Sequence, residues 1–504
     1  MGRSRSRSRS RSRGAALAGA VLLALCAGCD GGDRAAPDPK PSPGEERVLR
    51  VATASDVSQG PVRQRLIEAW DRSQPDVRVE IVRLPAAADD ARSQLVAALQ
   101  SGGADYDVVN LDVPWTAEFA AGDLIRPLDG DPLHGMWGQV ADTARFRDRV
   151  WAVPFNTDAA LLYYRKDIWK DPTWRPPATW GELDTAAGNA KDPRQVKQTF
   201  PYGYATQLDS YEGLTVNAQE AVWATDGELV DTTGKVVAAS LDTQAGLTDL
   251  FQRFHGLMPP ETSTADERDS LEMFRDEKVP FMRNWPYVYN VLAAKGSKVA
   301  GKFGVVPLPG RGANGASVLG GQNLAVTRDS AHPEDARRLL DFLVRPAQQR
   351  CLLEAGFAPV LKATYEAAGP RCSLSGGGGA SGGEATSGEE ATSGEEARSG
   401  EEGSASGADG GAGSSGDRTG GADGEASAGP EAGGEEAGSR KLPPWTEALR
   451  KALGRARPRP VTPYYAAFTE LVQTLVHGRL ENGGDEKDLA KELDKDLRTV
   501  MEGG

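Results

Sequence analysis

From Val48 to Asp112 the chain alternates short apolar runs with amphipathic stretches, and this order narrows the possible folds more than any other feature. Val48-Leu-Arg-Val-Ala-Thr reads as a strand, and Val62 to Trp70 as a helix with Val62, Leu66, Ile67 and Trp70 on one face. Val77-Arg-Val-Glu-Ile-Val is a second strand and Arg92 to Gln100 a second helix. Tyr106-Asp-Val-Val-Asn-Leu-Asp is a third strand, ending on a carboxylate. Strand, helix, strand, helix, strand is the opening of an α/β fold with a doubly wound sheet, whose ligands lie at the carboxyl ends of strands. The globular texture continues to about Ala368.

Residues 374–440 differ in kind. They are almost wholly Gly, Ser, Ala, Glu, Thr and Asp, with the hexamer Ala-Thr-Ser-Gly-Glu-Glu at 385–390, repeated at 391–396 and echoed at 397–402. The segment lacks the apolar side chains that offset ordering entropy, so the expectation is a disordered acidic insertion. Order resumes at Lys441-Leu-Pro-Pro-Trp, with helices expected over Pro463 to His477 and Glu486 to Met501. The pattern on either side continues as one, which favours an insertion within a domain; an interdomain linker is the alternative.

At the other end, six Arg alternate with Ser between Arg3 and Arg13, ahead of the apolar run Ala15-Ala-Leu-Ala-Gly-Ala-Val-Leu-Leu-Ala-Leu and Cys26-Ala27-Gly28-Cys29. The run is too short to span a bilayer. A Cys directly after Leu-x-Ala-Gly resembles the bacterial lipoprotein signal, in which that Cys is lipidated and becomes the mature N-terminus. An ordinary secretory signal that happens to contain cysteines is the alternative. On the lipoprotein reading, residues 1–28 are a signal peptide, Cys29 carries lipid, and 29–47 form a flexible tether. Losing six arginines with the signal moves the formal charge from −14 to about −20. Segment 374–440, with 14 acids and 3 Arg, holds about −11 of that. So acidic a chain lacks the electrostatic footprint of a nucleic-acid binder. With Cys26 removed and Cys29 committed, Cys351 and Cys372 remain, a disulfide candidate in an oxidising compartment unless both stay free thiols.

No enzyme constellation stands out. His134, His255, His332 and His477 stand at no metal-ligand spacing, and no Gly-x-Ser-x-Gly elbow between an expected strand and helix, and no phosphate-cradling loop, occurs. No metal or cofactor is implied. What recurs is a polar or aromatic residue at the end of an apolar run: Asp112 before Pro114-Trp115, Asn156 and Asp158 after Trp151-Ala-Val-Pro-Phe, Trp285 and Tyr287 after Val279-Pro-Phe-Met, and Gly320-Gly321-Gln322 before Asn323-Leu-Ala-Val. Carboxylates and amides serve several hydroxyls at once, and aromatic faces pack on the C–H face of sugar rings. Each residue also has a local explanation: Asp112 as a helix cap, Trp285 and Tyr287 as core, Gly320-Gly321 as a turn.

Five stretches resemble the extracellular solute-binding proteins of the family 1 sugar importers. They are Asp107-Val-Val-Asn-Leu-Asp-Val-Pro-Trp-Thr-Ala-Glu-Phe-Ala, Val153-Pro-Phe-Asn-Thr-Asp-Ala-Ala-Leu-Leu-Tyr-Tyr-Arg-Lys, Tyr211-Glu-Gly-Leu-Thr-Val-Asn-Ala, Leu319-Gly-Gly-Gln-Asn-Leu-Ala-Val and Arg459-Pro-Val-Thr-Pro-Tyr-Tyr. The likeness runs from about Val48 to Leu497 outside the low-complexity segment, and is nearest to the trehalose/maltose-binding branch with its actinobacterial lipoproteins. The resemblance implies that Asp56 faces a cleft as an acidic sugar contact and that Arg92, Asp112, Asn156 and Asp158 hydrogen-bond hydroxyls. It implies that Trp285 and Tyr287 stack on a ring, that Gly321 lets backbone approach the ligand, and that Arg459 reaches in from the far side. Relatives often carry Trp where this chain has Gln322, an amide in place of a stacking surface.

The resulting expectation is a two-lobed periplasmic-binding-protein-like α/β fold with a hinged cleft. Residues 48–157 with about 308–345 form lobe 1, and 158–307 with about 346–500 form lobe 2, which would carry the disulfide and the insertion. Such a protein would be a monomer on the outer face of the membrane of an actinobacterium-like Gram-positive cell. It would capture a disaccharide such as trehalose or maltose by hinge closure, for two permease subunits driven by an ATPase. A lipoprotein glycosidase and a sugar sensor without transport are the rival readings.

Overall fold

Two sheets exchange strands at a narrow seam, and the chain's course through them can be followed element by element. The computed structural model describes residues 46–54, 61–102, 106–311, 315–366, 369, 371–374, 442–483 and 486–501. The expectations for the signal peptide, Cys29, Asp56, the tether up to residue 45 and the acidic segment beyond Leu374 lie outside the described residues; the expected tether ran to 47, but Arg47 already pairs with Val77 in the first strand.

The first lobe opens with β1 (Arg47–Ala54), α1 (Val62–Asp71), β2 (Val77–Leu84), α2 (Ala88–Gln100) and β3 (Val108–Asp112). In β3, Val108 to Leu111 are buried, as a strand covered on both faces must be. β1 pairs in parallel with both β2 and β3, the arrangement the opening pattern predicts. Helix α2 begins at Ala88, a full turn before the expected Arg92. There follow α3 (Thr116–Ala121), α4 (Gly138–Asp142), the small ladder of β4 (Arg145–Phe146) with β5 (Arg149–Val150), and β6 (Val153–Ala159).

Only Ala160 separates β6 from β7 (Leu161–Arg165), yet β7 belongs to the other sheet. The second lobe continues through α5 (Trp180–Asn189), β8 (Tyr204–Ala205), α6 (Glu212–Trp223), α7 (Leu241–Leu257), α8 (Glu267–Arg275), β9 (Phe281–Asn284), α9 (Val288–Ala293) and β10 (Phe303–Pro307). The chain then returns as β11 (Leu319–Val326), α10 (Pro333–Leu343), α11 (Pro346–Ala355) and β12 (Ala358–Pro359). Its last helices are α12 (Thr446–Leu453), α13 (Tyr465–Asn482) and α14 (Glu486–Met501).

The larger sheet has the order β12-β6-β11-β3-β1-β2, and the smaller β10-β7-β9-β8. The larger is mixed, because β11 runs antiparallel to both β3 and β6. One expectation is corrected here. Residues from 346 to about 366 were assigned to lobe 2, but β12 pairs with β6 and α11 packs on α1 and α10, all in the first lobe. The disulfide moves with them: Cys351 on α11 is bonded to Cys372, and Gln348 Nε2 donates to Ser373 O at 2.9 Å beside it. The reason is topological. After α10 the chain stays in the first lobe through α11 and adds β12 as the edge strand beside β6, before it returns toward the second lobe. Helices α13 and α14 pack on α6 and α7 of the second lobe, while α12 lies against β6, β7 and β10 where the sheets exchange strands.

Candidate functional site

Strand register builds one wall of a cleft. Asp112 on β3 stands opposite Gln322 on β11, which stands opposite Asn156 on β6, so three polar side chains lie abreast on adjacent strands. Asp158 follows two residues along β6 and so shares a face with Asn156. These residues line a cavity of about 640 Å³ together with Asn110 and Arg63 of the first lobe and Tyr211, Glu212, Glu267, Trp285 and Tyr287 of the second. Gly320, Gly321 and Arg459 line it too.

The polar atoms at this wall divide into satisfied and unsatisfied sets. Asn110 Oδ1 and Asn156 Oδ1 are buried and have no hydrogen-bond partner among the described residues. Asn156 Nδ2 donates weakly to Asp158 Oδ2 at 3.3 Å. Burial pushes the Asp158 carboxyl up to about 8, against the opposing pull of Arg63 and the Asn156 amide. Asp112 does cap a short helical turn, its Oδ1 accepting from Val113 N at 2.8 Å. It also takes both prongs of Arg459, at 2.8 and 2.9 Å. Arg459 Nη1 donates as well to Glu212 Oε1 at 2.6 Å, and Glu212 accepts further from Tyr465 OH and from Thr469 Oγ1. One guanidinium thus joins a carboxylate of the first lobe to one of the second. Burial raises the Glu212 carboxyl and Arg459 opposes that rise.

Two aromatics of the second lobe are held by one acid. Glu267, at the first turn of α8, accepts from Trp285 Nε1 at 3.1 Å and from Tyr211 OH at 2.7 Å. The rim of the Trp285 ring lies so near Gly320 that a Cβ there would sit 3.2 Å from it. Gly321 has φ +120°, and a Cβ on it would meet Asn156 O at 2.4 Å. Its glycine is required by the close approach of β6 and by the left-handed backbone, rather than by room for a ligand. Gln322 Oε1 accepts from Arg63 Nη2, and the Arg63 guanidinium lies 5.5 Å from the Phe155 ring centroid.

Arg92 is not brought to the cleft. Ala88 and Ala91 of α2 line it, while Arg92 pairs with Glu118 of α3, donating from Nε at 2.8 Å. Arg92 lies one turn on from Ala88, on nearly the same face, and it is the Glu118 carboxylate that draws its long side chain away from the cleft. Other lining residues carried no assignment in the sequence. Glu212 and Tyr211 lie within a stretch quoted for the resemblance, and Trp115 follows Asp112 directly. Arg63 had a signal of its own: with Ile67 and Trp70 it falls at i, i+4 and i+7, a charge set on the apolar face of α1. Among the described residues, no group of three His, Cys, Asp or Glu is placed to hold a metal ion, and no helix is long and apolar enough to cross a membrane.

A family model described as bacterial extracellular solute-binding protein matches residues 54–350. A probable ABC transporter-binding protein of Deinococcus radiodurans is 29% identical over 307 residues, 59% of this chain and 72% of that protein. An uncharacterized lipoprotein of Streptomyces antibioticus is 24% identical over 349 residues, 66% of this chain and 72% of that one. Among solved structures, maltose-bound MalE3 of T. maritima superposes with a TM-score of 0.70 and 26% identity, over 90% of this chain and 99% of that one.

Proposed function

The chain belongs to the bacterial extracellular solute-binding proteins, and on that premise we propose that its cleft captures a disaccharide such as trehalose or maltose for an ABC-type importer. The row of Asp112, Gln322 and Asn156 with Asp158, set across one cavity from Trp285 and Tyr287, carries this reading. A sugar hydroxyl donates and accepts at once, which suits a wall that mixes carboxyls with amides. An aromatic ring covers the C–H face that such hydrogen bonding leaves bare. A ligand that touches both lobes favours the closed state by its differential affinity for it. The sugar leaves unchanged, since the cleft's role is to hold it. Asp112, Asn156, Asp158, Gln322, Trp285 and Tyr287 are the direct contacts, and Arg459 acts by holding Asp112 and Glu212 together.

Lipidation of Cys29 would keep the binder on the outer face of the membrane beside its two permease subunits and their ATPase. The relative named as a lipoprotein supports this address. Thermal unfolding of the purified chain with trehalose, maltose and a panel of other mono- and oligosaccharides tests the reading. The true ligand at a hundred times its Kd adds about 2.7 kcal/mol of stability by mass action, and product analysis returns the sugar intact. No shift with any sugar, or hydrolysis of one, overturns the proposal.

A further inference from the structure

Behind the aromatic wall lies a buried acid that touches no part of the cavity. Glu220, on α6, is 3% exposed. Its Oε1 accepts from Arg283 Nη2 at 2.9 Å, from Val318 N at 3.0 Å and from Ser317 Oγ at 3.2 Å, and its Oε2 accepts from Arg283 Nε at 3.0 Å. Arg283 is 1% exposed and completes its hydrogen bonding on Gln207 Oε1 at 3.0 Å. The same guanidinium sits 4.0 Å from the centroid of the Trp285 ring. A desolvated cation over an indole face is held firmly, so Arg283 fixes the plane of the ring whose other contacts line the cleft.

The second set of partners belongs to the seam. Ser317 and Val318 lie in the segment that returns from the smaller sheet to the larger, just ahead of β11. Ser317 Oγ accepts from the backbone N–H of Ala160 at 2.7 Å, and Ala160 is the residue between β6 and β7. Arg457 bridges Val318 in parallel, with Arg457 N donating to Ser317 O at 2.9 Å and Leu319 N to Arg457 O at 2.7 Å. The three segments that pass through the seam therefore meet within one hydrogen bond of Glu220 or Ser317. An apolar cluster apart from the main core duplicates the linkage: Val216 and Trp223 of α6 pack with Val318, and Trp285 packs against them. Val216, Glu220 and Trp223 fall at i, i+4 and i+7, a single stripe of the helix.

We propose that Glu220 is a positioning residue that couples ligand stacking on Trp285 to the setting of the lobe-crossing strands. The inference rests on the hinge-closure reading of the cleft. The carboxylate fixes the Val318 N–H and the Arg283 fork on one rigid helix, so a ring pressed by ligand and a strand that bends on closure share one buried anchor. Neutralising it leaves Arg283 buried without its ionic partner, frees the indole to tilt, and slackens the crossing strands.

Two measurements on the full chain test this, with maltose as probe: titration calorimetry, and hydrogen exchange read by mass spectrometry. Glu220→Gln is expected to weaken maltose binding at least tenfold and to speed amide exchange in peptides covering 158–161 and 316–321, with the rest of the chain unchanged. Ser317→Ala, which keeps the Arg283 pair, is expected to speed exchange at the same two peptides with a smaller loss of affinity. It is the variant to rely on if Glu220→Gln does not fold. Affinity within twofold of the parent in a folded Glu220→Gln overturns the proposal, as does acceleration spread evenly over the chain, the mark of a merely structural acid. If the parent itself does not bind maltose, that choice of sugar fails alone, and exchange in the ligand-free variants still decides the role of Glu220.

Discussion

Asp158 holds a proton that an exposed carboxyl would release. Burial sets its folded pKa at about 8, against about 3.9 for the unfolded chain. Between those values the folded state binds a proton that the unfolded state gives up, so this group costs stability as pH rises from about 4 to about 8 and nothing further above. Asp158→Asn removes the titration. Its stability relative to the parent is expected to climb across that window and level off beyond it, as read by denaturant unfolding at pH 4, 6, 8 and 9.5. A constant difference refutes the assignment. At Arg459 the sign is opposite. Arg459→Met leaves Asp112 and Glu212 facing each other without the cation between them, and loss of one member of so buried a group costs about 3–5 kcal/mol. The chain's order of apolar run and polar end was enough to point at Asp112, Asn156 and Trp285. It could not show that Arg459, 347 positions away, occupies Asp112, nor that Arg92 turns aside to Glu118.

The helices read from the sequence each keep one wet face, and the helix without one, α6, was not read. The expected helix over 62–70 is Val62–Asp71, and the expected one over 486–501 has those bounds, because solvent on one side writes a period into the sequence. Helix α6 shows none, since all twelve residues from Glu212 to Trp223 are buried. Its neighbour α7 explains how the burial is achieved. A Cβ at Gly246 of α7 would lie 2.5 Å from Ala221 O and 2.7 Å from Val222 Cα, both on α6. Gly246→Ala is therefore expected to destabilise the protein by about 1–3 kcal/mol through overpacking, although alanine is the better helix former. Gly256, on the same helix, has open space around its Cβ position. Gly256→Ala is expected to stabilise by up to about 1 kcal/mol from propensity alone. Urea unfolding of the two variants checks both signs.

For the whole molecule, the misassigned stretch after α10 bears on how the lobes move. A hydrophobic pattern identifies strands but not the edge they join, so nothing in the residues after Pro346 told that β12 would sit beside β6. With that stretch in the first lobe, the disulfide lies wholly on one side of the seam: α11 carries Cys351, and the segment bearing Cys372 is tied back to the same helix. Neither cysteine lines the cleft. A cross-link within one lobe restricts the unfolded chain without opposing rotation of one lobe against the other. Closing a loop with a sequence separation of 21 contributes about 3 kcal/mol on the chain-entropy account. Cys351→Ser together with Cys372→Ser is thus expected to lose about that much stability by denaturant unfolding while keeping the parent's sugar affinity by calorimetry at 25 °C. A tenfold fall in affinity with stability unchanged would mean that the bond restrains closure, and that the first lobe does not move as one body.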